Sequence, residues 1–330
     1  MAAYTTIDNP ELYFQTKLYT GNASTRSITL DGSEDMQPDL VWIKLRSDNY
    51  GSRVVDSVRG ATKEIYTNNS SAESTVAAGV TSFDSDGFSL GSEDGTNKNT
   101  ETIVAWNWKE SATAGFDIVS YTGNGSNRTI SHSLSATPSM IIVKDRTSTG
   151  DWFIYNKNIG ATKYVRLNDT GAEASSSTLY QDTDPTSSVF SIGTNGNVNT
   201  NTNTYIAYCF AEKQGYSKFG SYTGNGSSDG AFVYTGFRPA WIVVKRTDSA
   251  NSWMIYDNKR NPENLVDNPL YGESNEVEGT SSAASFDFLS NGFKLRGSGS
   301  AVNASGATMI YMAFAEAPFV NSNGVPCNAR

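Results

Sequence analysis

The feature that most constrains this chain is one residue pattern written three times at a step of about one hundred residues. An aromatic turn opens each copy: Leu18-Tyr19-Thr20-Gly21-Asn22, Ser120-Tyr121-Thr122-Gly123-Asn124-Gly125 and Ser221-Tyr222-Thr223-Gly224-Asn225-Gly226. Next comes an apolar run between a proline and a lysine, Pro38 to Lys44, Pro138 to Lys144 and Pro239 to Lys245, with Arg46, Arg146 and Arg246 close behind. A short run ending in Asp or Asn follows (Val54 to Asp56, Phe153 to Asn156, Met254 to Asp257), then Phe88 to Leu90, Phe190 to Ile192 and Phe293 to Leu295. Each copy closes on an apolar run ending in glutamate, Ile103 to Glu110, Tyr205 to Glu212 and Met309 to Glu316. Asn97, Asn199 and Asn303 each stand 13 residues before that glutamate. Repeats of this kind decide the architecture before any local reading does.

The recurring runs are strand-sized, rich in β-branched and aromatic residues, and bounded by Gly, Asn, Asp and Ser. With 17 Tyr, 15 Phe and 6 Trp the chain is too aromatic for a disordered one. The expected fold is all-β: three tandem β-sandwich domains of jelly-roll-like topology, or alternatively immunoglobulin-like. Their expected bounds are 16–111, 116–214 and 217–317, preceded by a docking arm at 1–15 and followed by a tail at 318–330. A unit of about 100 residues buries enough apolar surface to fold alone, which predicts beads with separate cores. The run Ala240 to Val244 lacks polar alternation and is expected to be covered on both faces. In the second copy the Asx-Gly turn before Phe190 is eroded, whereas Asp84 to Gly87 and Ser290 to Gly292 keep it in the others.

The pattern Ser221-Tyr-Thr-Gly-Asn-Gly226, Phe237-Arg-Pro-Ala-Trp-Ile-Val-Val-Lys-Arg246, Trp253 to Asp257, Phe286 to Leu295 and Tyr311 to Pro318 resembles a domain of unknown function common in tailed phages, notably marine and cyanobacterial ones. Pro38-Asp-Leu-Val-Trp-Ile-Lys44 and Val55 to Ala61 resemble its N-terminal version, so the likeness covers almost the whole chain. The resemblance implies a virion structural protein of the tail-fibre region, and it brings no catalytic or ligand residues to carry over. The expected role is a non-enzymatic part of the tail fibre or adsorption apparatus. A capsid decoration protein and a glycan-binding receptor-recognition module are the alternatives. Expected partners are other virion proteins in a multi-copy assembly and a host surface glycan, with no nucleic acid and no membrane insertion. Leu12, Tyr13 and Phe14, the apolar patch of the arm, are the candidate assembly residues.

Charge and motif content shape these expectations. Thirty-four acidic against 25 basic residues, net −9, argue against a phosphate-binding surface. Met1 to Thr16 lacks a cationic start and apolar core, so no signal peptide is expected and the location is the virion, after synthesis in host cytoplasm. His132 is the chain's single histidine and lacks a counterpart in the other copies, which argues against a Ser-His-Asp or Cys-His centre and a conventional zinc site. Cys209 and Cys327 are too few for a disulfide framework. Glu110, Glu212, Glu316, Asp56 and Asp257 are the carboxylates that a glycosidase would need, but their recurrence points to pairing with the recurring Lys or Arg. Asp84/Asp86 and Asp182/Asp184 are fragments of calcium loops that lack the full oxygen set. No cofactor or metal is expected. Asn22, Asn124 and Asn225 are expected to serve as turn residues.

Overall fold

The computed structural model describes residues 4–318. Its strands form antiparallel sheets in three sets. The first main sheet runs Phe14–Thr20, Thr102–Trp108, Leu40–Leu45, Arg53–Asp56, Lys63–Tyr66 and Ser74–Thr75 from edge to edge. The second repeats that order with Phe116–Thr122, Thr204–Phe210, Met140–Asp145, Phe153–Asn156, Lys163–Arg166 and Ala174–Ser175. The third has five strands, Ser217–Thr223, Thr308–Pro318, Phe237–Arg246, Met254–Asp257 and Leu270–Tyr271. A small sheet covers one face of each, making a β-sandwich. The first and last small sheets have three strands, and the middle one has two, Arg128–Ser131 and Val189–Ile192.

The missing strand of the middle sandwich follows from its turn. Asp84 to Gly87 closes a hairpin in the first sandwich, and Gly87 adopts φ +107°, a conformation that few side chains tolerate. The middle sandwich has no such turn, and the four-residue helix Ser177–Tyr180 stands there, filling the core with Leu179 and Tyr180. In each main sheet the last long strand lies between the first and the second and pairs with both. The hairpin Arg53–Asp56/Lys63–Tyr66 continues that same sheet, whereas a jelly roll would send successive strands to alternate sheets.

Why the recurring turn is written Tyr-Thr-Gly-Asn is visible in its bonds. Tyr19, Tyr121 and Tyr222 each donate from the phenol to a backbone carbonyl of a four-residue helix, that of Thr96, Val198 and Val302, at 2.7–2.8 Å. Asn97, Asn199 and Asn303 end those helices, fully buried. Each donates to the carbonyl of a glycine six residues earlier and to that of a serine beyond the turn, and accepts from the turn's asparagine N–H. Gly21, Gly123 and Gly224 lie so near the next backbone that a Cβ would sit 2.0–2.3 Å from a carbonyl oxygen. The motif is therefore a clasp between the first and last strands of a sandwich. Asn22, Asn124 and Asn225 hold the turn by accepting from the backbone N–H two residues on.

Each sandwich has its own interior, and all three share another. In Leu40–Leu45, Val41, Ile43 and Leu45 point into the first sandwich, while Leu40 and Trp42 point the other way. The same split separates Ile141 and Val143 from Met140 and Ile142, and Ile242 and Val244 from Trp241 and Val243. Period-two strands covered on both faces read as continuous apolar runs. The second faces meet in one core holding all six tryptophans, Trp42, Trp106, Trp108, Trp152, Trp241 and Trp253, with Phe210 and Phe314. This corrects the expectation of separate beads: burying one face of each main sheet requires the other two sandwiches.

Candidate functional site

The recurring lysines and two of the three recurring arginines gather where one sandwich meets the next. Lys144 of the second donates to the Ser70 carbonyl of the first, Lys245 of the third to Thr170 of the second, and Lys44 of the first to Ser274 of the third. Two atoms of Arg146 reach Glu73 at 2.9 and 3.1 Å, and two of Arg46 reach Glu278 at 2.8 Å. Trp152 donates its indole N–H to the Tyr66 carbonyl and Trp253 to that of Arg166, at 2.9 and 2.7 Å. In the remaining interface Thr67 donates to Gly272 at 2.5 Å. The contacts close a ring: second on first, third on second, first on third.

Two interfaces add a buried ion pair with an aromatic donor. Asp56 pairs with Arg59 and accepts from the Tyr208 phenol at 2.7 Å. Asp257 pairs with Arg260 at 2.6 Å and accepts from the Trp106 indole at 3.0 Å. In the third interface Asn156 and Ile159 replace the acid and arginine, and Met312 occupies the donor's place in sequence. Losing the charged pair and the donor together leaves neither half orphaned, which a buried site requires.

The electrostatics match this packing. Burial lowers the pKa of Lys44, Lys144 and Lys245 to about 8. Burial also opposes the charge on Arg59, but Tyr208, Asp56 and Glu73 more than offset it and raise its pKa. Glu278 likewise resists burial through Arg46 and Arg260, which hold it below the ordinary glutamate value.

The other candidates have identifiable partners. Glu212 pairs with Lys157 and Lys218, and Glu316 with Arg238. Burial, with Asp117 alongside, pushes Glu110 up to about 7. None of these terminal glutamates meets the recurring Lys44, Arg46 or their counterparts, and Glu110 accepts from the Ile118 N–H beside Asp117. His132 is partly exposed beside the Thr186 carbonyl at 3.2 Å. Cys209 is buried, and burial raises its thiol pKa well above the ordinary value. Asp84 accepts from Ser82 and Ser89, Asp86 from the Met36 N–H, and Asp184 from the Tyr155 phenol. Among the described residues no three His, Cys, Asp or Glu gather as a metal site, and no helix is long and apolar enough to cross a membrane. Cys327 and the tail beyond Pro318 lie outside the described residues.

Two residues of the arm's apolar patch, Tyr13 and Phe14, pack against the shared core. Phe14 begins the first long strand, is 2% exposed, and stacks on Phe314 at 5.3 Å beside Trp108. Tyr13 meets Tyr216 edge-on at 6.0 Å, and Leu12 sits in the turn Pro10–Leu12, capped by Asn9. Ile7 joins the shared core as well. Residues 4–15 thus seal the seam between the first and third sandwiches. At the ring's centre lies an apolar cavity of about 30 Å³, walled by Trp42, Trp108, Trp241 and Phe210 among others. The indole N–H groups of three of these wall residues, Trp42, Trp108 and Trp241, are buried without a hydrogen-bond partner.

A family model described as a domain of unknown function, DUF7483, matches residues 9–318. The chain belongs to the DUF7483 family. That match runs through all three sandwiches, and no curated protein matches the chain. Sequence reasoning missed the junctions of this DUF7483 chain. The available signal was Lys44, Lys144 and Lys245, one at the same place in the second long strand of each copy, a residue type almost never buried without a partner.

Proposed function

We propose that this DUF7483 chain is a non-enzymatic structural protein of a tailed-phage particle, built into the tail fibre or adsorption apparatus in multiple copies. The observation that carries the reading is the use of the recurring polar residues. Lys44, Lys144 and Lys245 are bonded to neighbouring loops, and Asn97, Asn199 and Asn303 to their own turns. Side chains consumed in this way serve rigidity, which suits a particle component. The phage context comes from the sequence resemblance.

The closed ring of three like sandwiches favours one second reading, a capsid decoration protein on a local threefold position. A single chain with threefold contacts matches the symmetry of three neighbouring subunits. Electron cryo-microscopy of particles carrying a tagged copy distinguishes the two. Density along the tail supports the first reading, density over the capsid lattice the second, and absence from purified particles overturns both.

A further inference from the structure

The third sandwich departs from the other two on its small sheet. On the outer face of the edge strand Phe232–Tyr234, Phe232 is 46% and Tyr234 52% exposed. The buried residue between them, Val233, pairs with Phe293 as Ile28 pairs with Phe88 and Ile130 with Phe190. That register places Ser27 and Thr29, then Thr129 and Ser131, where the third sandwich has its two aromatics. The two side chains are therefore not part of what the sandwich needs to fold.

Beside Tyr234 opens a cavity of about 250 Å³, lined by Tyr4, Glu212, Gln214, Ser217, Lys218 and Thr235 together with Gly215. The Tyr4 phenol lies 3.3 Å from that of Tyr234 and donates to the Gly236 carbonyl at 3.1 Å. Burial, helped by Tyr234, pushes the Tyr4 pKa up to about 12, so it stays a neutral hydroxyl. Glu212, one of the lining residues, is held by Lys157 and Lys218 at 2.7 and 2.6 Å, which offsets its charge. The site thus joins aromatic faces to a carboxylate, an amide and hydroxyls, without a dominant charge.

We propose that this cavity and the adjoining Tyr234 and Phe232 rings form a saccharide-binding site. A pyranose presents an apolar C–H face and a rim of hydroxyls, and this surface offers an aromatic face beside planar polar partners. The cavity is smaller than the roughly 300–1,000 Å³ of sites that enclose drug-sized ligands. One sugar ring occupies it, and the next unit of the chain lies across Phe232. Tyr4 comes from the N-terminal arm, Glu212 and Gln214 from the connection between second and third sandwiches, and Tyr234 from the small sheet. Among the described residues this combination occurs once, and it does not depend on where the protein sits in a particle.

The test is an array of neutral and acidic oligosaccharides probed with the full chain, followed by calorimetric titration of a scoring sugar. The double variant F232S/Y234S, which installs hydroxyl side chains like those of the other sandwiches, is expected to weaken binding at least tenfold with an unchanged melting temperature. Q214A, which leaves the aromatic rings in place, is expected to weaken it as well. A flat array overturns the proposal, as does undiminished binding by both variants. It is also overturned if the chain self-associates through this patch, so that F232S/Y234S abolishes a dimer while no sugar binds.

Discussion

The hydroxyl of Tyr208 donates to Oδ2 of Asp56 across 2.7 Å, joining two residues 152 positions apart at a point closed to solvent. The bond ties the last strand of the second sandwich to the end of the short strand Arg53–Asp56 of the first, beside Arg59. Its consequences separate a structural junction from an ordinary core contact.

Tyr208→Phe removes one donor and leaves Asp56 with Arg59. The expected cost is about 1–3 kcal/mol, that of an unmet buried acceptor. Asp56→Asn leaves the Arg59 guanidinium buried without its charge partner and is expected to cost about 3–5 kcal/mol. Urea unfolding followed by tryptophan fluorescence ranks the two. Equal midpoints would contradict the junction's importance.

A fragment of residues 116–214 exposes Met140, Ile142, Trp152, Tyr208 and Phe210, which the whole chain buries against its neighbours. An apolar face of that extent does not remain in water as a monomer. The fragment is expected to aggregate or to associate with itself, and size-exclusion chromatography with light scattering reads the result. A well-behaved monomer with a cooperative melt would restore the picture of independent beads.

Ile7 and Phe14 act as part of the core despite preceding or opening the first sandwich. Phe14→Ala is expected to cost about 3–5 kcal/mol and Ile7→Ala about 2–5 kcal/mol. Removing residues 1–15 is accordingly expected to lower the melting temperature sharply instead of leaving a folded body that fails to dock. Differential scanning calorimetry of the three variants decides this.

The pH dependence of stability follows from groups whose titration differs on folding. Glu64, desolvated by burial, and Glu110 are both raised from 4.5 to about 7, so folding takes up protons between those values. Their stabilising contribution is full below 4.5 and is lost as pH rises through 7. Lys44, Lys144 and Lys245, lowered from 10.5 to about 8, act in the next window: stability rises as pH climbs from 8 towards 10.5. Buried tyrosines such as Tyr216 and Tyr222, whose pKa burial raises, oppose that rise above 10. Urea midpoints measured from pH 4.5 to 9.5 are expected to show a minimum between 7 and 8. Glu110→Gln is expected to flatten the acid arm, and an unchanged arm would exclude Glu110 as its source.

The sequence carried the local information in full view. Phe237–Arg246 and Thr308–Pro318 are legible as strands because β-branched and aromatic residues crowd between turn signals. The eroded turn before Phe190 foretold a middle sandwich that departs from the others. The cavity beside Tyr234 was less legible. Tyr4, Gln214 and Tyr234 lie in three separate stretches of chain, and nothing in their local pattern links them.

Strand content, sandwich pattern and the buried double-faced runs were determined by the order of residues alone, because alternation and turn chemistry act over a few positions. Which neighbour each second face packs against was decided only in three dimensions. Trp106 and Asp257 form a pair through the shape of three sheets closing on one another, and Phe14 is core instead of surface for the same reason. Apolar burial is non-directional: it announces that a face must be covered, and the geometry of the assembled chain chooses the cover.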